Sequence, residues 1–389
     1  MNNFTYYNPT RLIFGRGVEN AVGEEIHRIL GKCARVALVY GGGSIKRTGL
    51  YDRVKASLAS AGMSVLEIPG VPVNPTLEFV REGLEKVRET PVDAVLAVGG
   101  GSVMDAAKAI AVGVRYDGDV WDFYEGVAEP ADGLPIFCIP TQPATGSEQS
   151  IRTVITNGPT KTGMGNEWCR SKAALINPEL YMTLPVDQIG AAIVDMMSHI
   201  MERYFSPTTA TSFVDWQAEA ALRCAMRYGP KVIENPQDYD AWCQVSMVGT
   251  FAHNGYYGLG RVEDWASHAI EHELSGWHPE ITHGKGLAVV IPAWMKHVSE
   301  RRPERFVRFA VRVMGVEPQA SDKETIALGI AKLCGFFLSI GMPLNLAELG
   351  AADCPVEELA RHCCRKGPVG HLMELDVADV VAILTSAAG

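Results

Sequence analysis

The chain has 389 residues, with 45 acidic against 35 basic ones and a formal net charge of -10. That balance argues against a footprint for nucleic acid or for an anionic membrane surface. A hydrophobic share of 47% with 21% charged residues belongs to a globular protein, and at this length two domains are a better expectation than one core. The start, Met1 to Gly17, has no basic stretch followed by an apolar one, so no secretory leader is expected. No apolar run reaches the roughly 18 residues of a membrane span. The nine cysteines are scattered and form no CxxC pair, which fits free thiols in a reducing cytoplasm.

In chain order, the first half alternates strands and helices. Residues 35–40, 64–68, 93–98 and 134–139 are short apolar runs of the kind buried on both faces of a parallel sheet. Helical patterns at 50–58, 77–87 and 103–108 lie between them and imply right-handed βαβ units. After Leu184-Pro185-Val186-Asp187 the strand pattern almost vanishes. Helices are expected over 189–205, 211–228, 239–254, 265–274, 286–300, 323–340 and 378–388. The reading is therefore an α/β dinucleotide-binding domain at 1–186 and an all-helical domain at 187–389.

Two glycine turns close early strands. Gly41-Gly42-Gly43-Ser44 follows the first run, and Gly99-Gly100-Gly101-Ser102 follows the third and opens a helix. Glycine lets the backbone come close to a ligand, and the free N–H groups of a helix start bind an anion. Neither turn completes G-x-G-x-x-G, because the sixth position is Lys46 in one and Met104 in the other. Two such turns in one parallel sheet point to a nucleotide, since ligands sit at the carboxyl ends of its strands. The hydroxyl-rich loop Pro140 to Glu148 follows the fourth run and joins them. Where NAD binders place an acid for the ribose 2′-hydroxyl, this chain has glycine followed by Ser44, Lys46 and Arg47. That arrangement predicts a preference for NADP(H).

The second half carries a histidine cluster. Asp195 and His199 are spaced i,i+4, as are His268 and His272, so each pair shares one helix face with Cβ atoms about 6 Å apart. His283 is expected in the loop before the next helix. Such pairs begin metal sites, and a carboxylate in the apolar stretch 191–200 is costly to bury unless paired or coordinating. An Asp–His hydrogen bond without metal is the plain alternative. One carboxylate with several imidazoles and no thiolate suits Fe(II), Zn, Ni or Co. Aromatic residues near these helices, among them Trp265, Trp277, Phe251, Tyr256 and Tyr257, leave the substrate open between aliphatic and aromatic aldehydes.

These motifs together resemble the iron-containing (group III) alcohol dehydrogenases. The resemblance runs from Phe4, Pro9 and Ile13-Phe14-Gly15 through both glycine turns, Asn74-Pro75-Thr76 and the Thr145-Gly146-Ser147-Glu148 loop. It continues through Asn177-Pro178-Glu179-Leu180, Asp195-x-x-x-His199 with Glu202, and His268-x-x-x-His272 with His283-Gly284. Within the family, Gly41-Gly42-Gly43-Ser44-x-Lys46 is similar to the NADPH-dependent butanol dehydrogenase and aldehyde reductase branch. The resemblance implies a Rossmann-like parallel sheet joined to an all-α domain, the dehydroquinate synthase-like architecture. It implies that Asp195, His199, His268 and His283 hold one divalent metal, Fe(2+) first and Zn(2+) or Ni(2+) after it. His272 then lies beside the metal and relays a proton. The cofactor is implied to touch Gly41, Gly42, Gly43, Ser44, Lys46, Asn74, Gly100, Gly101, Ser102, Asp105, Thr141, Thr145, Ser147 and Lys161. Gln142-Pro143 departs from the Thr-Ala that many members carry there. A primary alcohol or aldehyde substrate and a cytoplasmic homodimer complete the expectation. A polyol dehydrogenase, a lyase of the dehydroquinate synthase type and a metal-binding protein without catalysis are the rivals.

Overall fold

The computed structural model describes residues 1–389. The chain forms two compact units, Tyr7–Thr183 and Met1–Tyr6 with Leu184–Gly389. The first six residues thus group with the helical unit and not with the residues that follow them. Asn2 N–H donates to the Gly260 carbonyl at 2.7 Å, and the Tyr6 ring meets Tyr256 edge-on.

In the unit Tyr7–Thr183, β1 (Arg11–Phe14), β2 (Arg35–Tyr40), β3 (Ser64–Pro69), β4 (Ala94–Gly99), β5 (Ile136–Pro140) and β8 (Ala173–Ile176) make one sheet. Its order is β1-β8-β5-β4-β2-β3, and every pairing is parallel. β6 (Arg152–Asn157) and β7 (Thr160–Gly165) form a separate antiparallel hairpin. Alternate residues of β2 feed two cores. Val36, Leu38 and Tyr40 pack with Val22, Ile26, Val54 and Leu58, whereas Ala37 and Val39 pack with Val80, Leu84 and Ile110. Helices therefore cover both faces, which is why β2 and β4 read as continuous apolar runs. The chain leaves β2 toward β3, then crosses back to β4 on the other side. The carboxyl ends of β2 and β4 flank that reversal, the position at which doubly wound sheets bind ligands.

The second unit is helical. Its core helix, Val186–Tyr204, is buried almost without interruption from Ile189 onward. Ser212–Glu234, Tyr239–Ala252 and His283–Val298 pack on it. Pro303–Arg312 and Val356–Cys363 add helices beyond those expected. His283 is the first residue of His283–Val298, after Thr282, and not part of a preceding loop. No helix is long and apolar enough to cross a membrane.

Candidate active site

Within the α/β unit, both glycine turns and the Pro140–Glu148 loop follow β2, β4 and β5, three neighbouring strands. Gly43 has φ +114 and starts the short helix Ser44–Arg47. A Cβ on Gly42 or Gly43 would meet nothing within 4 Å, so their surface is open to a ligand. Gly100 starts the helix Gly101–Gly113, whose first N–H groups lack intrahelical acceptors. At Gly101 a Cβ would lie 2.5 Å from Thr145 Cγ2, so Thr145 seats directly on the second turn. Ser102 Oγ donates to the Val73 carbonyl, next to Asn74. Lys161 lies on β7, and Thr141 N–H donates to Gly99 O at 3.0 Å.

Asp105 and Ser147 are bonded to each other, Oγ to Oδ1 at 3.0 Å, and Asp105 Oδ2 accepts from Val154 N–H at 3.1 Å. Burial pushes the Asp105 carboxyl up to about 6 against the opposing pull of Lys108. Lys108 is a residue the sequence reading missed. It is fully buried, and its Nζ donates to Ser147 O, Ser147 Oγ, Ser150 O and Arg152 O at 2.7–2.9 Å. Its i,i+3 spacing from Asp105 on an apolar helix was the available sign.

Lys46 Nζ lies 5.3 Å from the Tyr40 ring centroid and 4.9 Å from that of Tyr51. Glu67, on β3, is the carboxylate beside this cluster. It accepts from Tyr40 Oη at 2.8 Å, Tyr51 Oη at 2.5 Å and Lys55 Nζ at 3.1 Å. The Tyr51 hydroxyl first, then Tyr40 and Lys55, draw its carboxyl down to about 2.

In the helical unit, Asp195, His199 and His268 offer ligand atoms within 4.8 Å of one another. His199 Nδ1 is 3.5 Å and His283 Nε2 3.8 Å from Asp195 Oδ1. Separations of this size suit donors that share one ion at about 2.1 Å each. Gly284 makes the meeting possible: a Cβ there would lie 2.0 Å from Ala191 O, so helix His283–Val298 crosses helix Val186–Tyr204 at backbone contact. Two glutamates orient the rings. Glu202 Oε1 accepts from His268 Nδ1 at 2.9 Å, and Glu271 bonds His283 Nδ1. Each contact engages Nδ1, so Nε2 is the nitrogen on the far side of the ring, and that of His283 lies 3.8 Å from Asp195 Oδ1. His268 Nε2 is buried with no hydrogen-bond partner, and so is His199 Nδ1. Burial drives His199 well below its ordinary value, with His268 and Arg203 adding to the effect. A neutral, orphaned, inward-facing imidazole is what a divalent metal requires. The residues therefore fit such an ion.

His272 lies outside that first group, and its ring is 5.4 Å from His283 and 6.4 Å from His268. Trp265 lies edge-on to His268, with ring centroids 5.0 Å apart, whereas Tyr256 faces Tyr6 and Trp277 faces His278. Glu271 was not anticipated, since a glutamate between two helical histidines reads as a solvated face; it is fully buried.

A nucleotide-binding parallel sheet joined to a helical unit that gathers three imidazoles and a carboxylate defines a metal-dependent dehydrogenase class. The comparisons agree. Residues 9–178 match the family model described as iron-containing alcohol dehydrogenase, and residues 190–388 match the C-terminal model of the Fe-containing alcohol dehydrogenase family. The chain belongs to the iron-containing alcohol dehydrogenase family. It is 42% identical over 387 residues to the probable NADH-dependent butanol dehydrogenase 1 of Bacillus subtilis, covering 99% of each chain. It is 34% identical to the NADPH-dependent aldehyde reductase YqhD of Escherichia coli, covering 97% of this chain and 98% of that one. The crystal structure of NADH-dependent butanol dehydrogenase A from Thermotoga maritima superposes with TM-score 0.96 at 38% identity, covering 100% of this chain and 99% of that one. The reaction class is that of an alcohol dehydrogenase and aldehyde reductase.

Proposed function

We propose that this enzyme interconverts a primary alcohol and its aldehyde with NADP(H), using one divalent ion held by Asp195, His199, His268 and His283. One observation carries the reading: Asp195 gathers with His199 and His268, His283 Nε2 lies 3.8 Å from Asp195 Oδ1, and buried glutamates engage Nδ1 of His268 and His283. Iron is the first candidate, from the family description and from a donor set that Fe(II) shares with Zn and Ni. The functional division assigns Tyr7–Thr183 to the dinucleotide, and Leu184–Gly389 with Met1–Tyr6 to metal and substrate, close to the boundary at 186 that the sequence suggests.

When bound, the ion supplies Lewis acidity toward a substrate oxygen, and the nicotinamide supplies or accepts the hydride. The chain's own groups do the rest. The glycine turns let main-chain N–H groups approach a pyrophosphate at the start of helix Gly101–Gly113. Thr141, Thr145, Ser147, Asn74 and Lys161 line the same strand ends or the segments beside them. His272, whose ligand atom lies within 4.8 Å of those of His283 and Glu271, is given the role of holding and passing the proton that the alcohol gains or loses.

NADP(H) is favoured over NAD(H) on local electrostatics. Glu67 is occupied by two phenols and Lys55, which leaves Lys46 and Ser44 to meet a 2′-phosphate. Four relatives of 35 to 42% identity are named NADH-dependent and one of 34% is named NADPH-dependent, so kinetics decide: kcat/KM with NADPH should exceed that with NADH, and equal values refute the preference. The reading extends to a cytoplasmic homodimer, which light scattering checks for its oligomeric part.

The site itself is tested by Asp195→Ala. Metal content should fall below one tenth of wild type, and aldehyde reduction by roughly a thousandfold, the several kcal/mol of a lost Lewis acid. A variant that kept both its metal and its rate would remove the assignment.

A further inference from the structure

Glu202 has more partners than a ring-orienting carboxylate needs. It follows Asp195 and His199 at i+7 and i+3 on one helix, so all three share a face. Its Oε1 accepts from Ser267 Oγ at 2.5 Å, His268 N–H at 3.0 Å and His268 Nδ1 at 2.9 Å, while Oε2 accepts from Trp265 N–H at 2.8 Å. Helix Ala266–Trp277 starts at Trp265, whose φ of +69 is costly for a bulky aromatic and whose side chain offers no capping acceptor. Glu202, from the neighbouring helix, supplies that acceptor.

We propose that Glu202 is a positioning residue that ties the start of helix Ala266–Trp277 to the orientation of His268, so that one carboxylate sets both helix register and ligand tautomer at the metal site. The inference rests on the metal reading above. Because Glu202 accepts from Nδ1, that nitrogen carries the proton and Nε2 presents its lone pair. The same bond network fixes the backbone one turn before the ring, so the ring cannot swing without uncapping the helix. Asp195, Glu202 and Glu271 are all buried, and the three carboxylates together favour a divalent cation among them.

The test titrates Zn2+ and Co2+ against a competing chelator into metal-stripped wild type, Asp195→Ala and Glu202→Gln, with melting temperatures for the stripped and Zn2+-loaded forms. Wild type should take up one ion and Asp195→Ala should not. Glu202→Gln should bind 10- to 100-fold more weakly. Its Zn2+-induced gain in stability should shrink by about 1.4 to 2.8 kcal/mol, that fold-change converted. Unchanged affinity, with stripped and loaded forms destabilised alike, would mean a purely structural cap and would overturn the proposal. Wild type that takes up no ion would remove the metal reading, and this inference with it. Should Glu202→Gln fail to fold, long-range 1H–15N spectra of Zn2+-loaded wild type decide. His268 protonated on Nδ1 supports the proposal, and protonation on Nε2 overturns it.

Discussion

Lys108 and Ser147 are 39 positions apart in the chain, yet the Lys108 ammonium donates to both the carbonyl and the hydroxyl of Ser147, at 2.7 and 2.8 Å. Two further carbonyls, of Ser150 and Arg152, complete its shell. One buried cation therefore fastens the loop after β5 to the helix that follows the second glycine turn. Replacing it by Met strips a donor from several buried acceptors. Lys108→Met should lose about 3 kcal/mol or more in urea unfolding. Dinucleotide affinity should fall while metal content stays at the wild-type level. An unfolding midpoint equal to that of wild type would show the ammonium to be dispensable.

The contact of Gly284 with Ala191 leads to a sharper expectation. Adding one methyl group requires the two helices to separate, and His283 is the adjacent residue. Gly284→Ala should cost about 1 to 3 kcal/mol of stability, the usual range for overpacking. Metal affinity should fall with it, which Gly42→Ala, placed against open space, should not cause. Metal analysis of the two variants side by side makes the comparison.

Cofactor choice tests the first glycine turn. Lys46→Ala should raise KM for NADPH by roughly 10- to 100-fold, the scale of a lost charged hydrogen bond, and change KM for NADH little. Equal losses with both cofactors would assign Lys46 to the pyrophosphate or to folding.

Acid should weaken the protein partly through Glu67. Its folded-state value of about 2 lies below the ordinary 4.5, so the ionised form is favoured by folding. That contribution is present above about pH 4.5 and is lost as pH falls toward 2. Its side chain is 33% exposed, which keeps the effect modest. Between pH 7 and pH 3 wild type should lose more stability than Glu67→Gln, and parallel losses would exclude the linkage.

Much of this molecule is legible in its residues because β2 and β4 are covered on both faces and so carry unbroken apolar runs. β1 and β8 escaped notice because four residues, Arg11–Phe14 and Ala173–Ile176, are too short to show a pattern. The hairpin β6–β7 is rich in Thr and Gly and reads as loop. Pro303–Arg312 was readable in principle, with proline at its start and Phe306, Phe309 and Ala310 on one face. At the candidate site, i,i+4 spacing revealed Asp195 with His199 and His268 with His272. Spacing could not reveal Glu271, whose partner His283 is 12 positions away, and for Lys108 it offered only Asp105 at i,i+3, since the acceptor Ser147 is 39 positions away and meets it only in the folded chain.

The grouping of Met1–Tyr6 with Leu184–Gly389 means that the polypeptide passes between its two units twice. A protease cut between Thr183 and Leu184 would therefore release neither half cleanly. The amino-terminal fragment would still carry the six residues that belong to its partner's fold, as a built-in tether. Separating the units in solution takes a second cut, after Tyr6, so expression of the α/β unit alone is best begun at Tyr7.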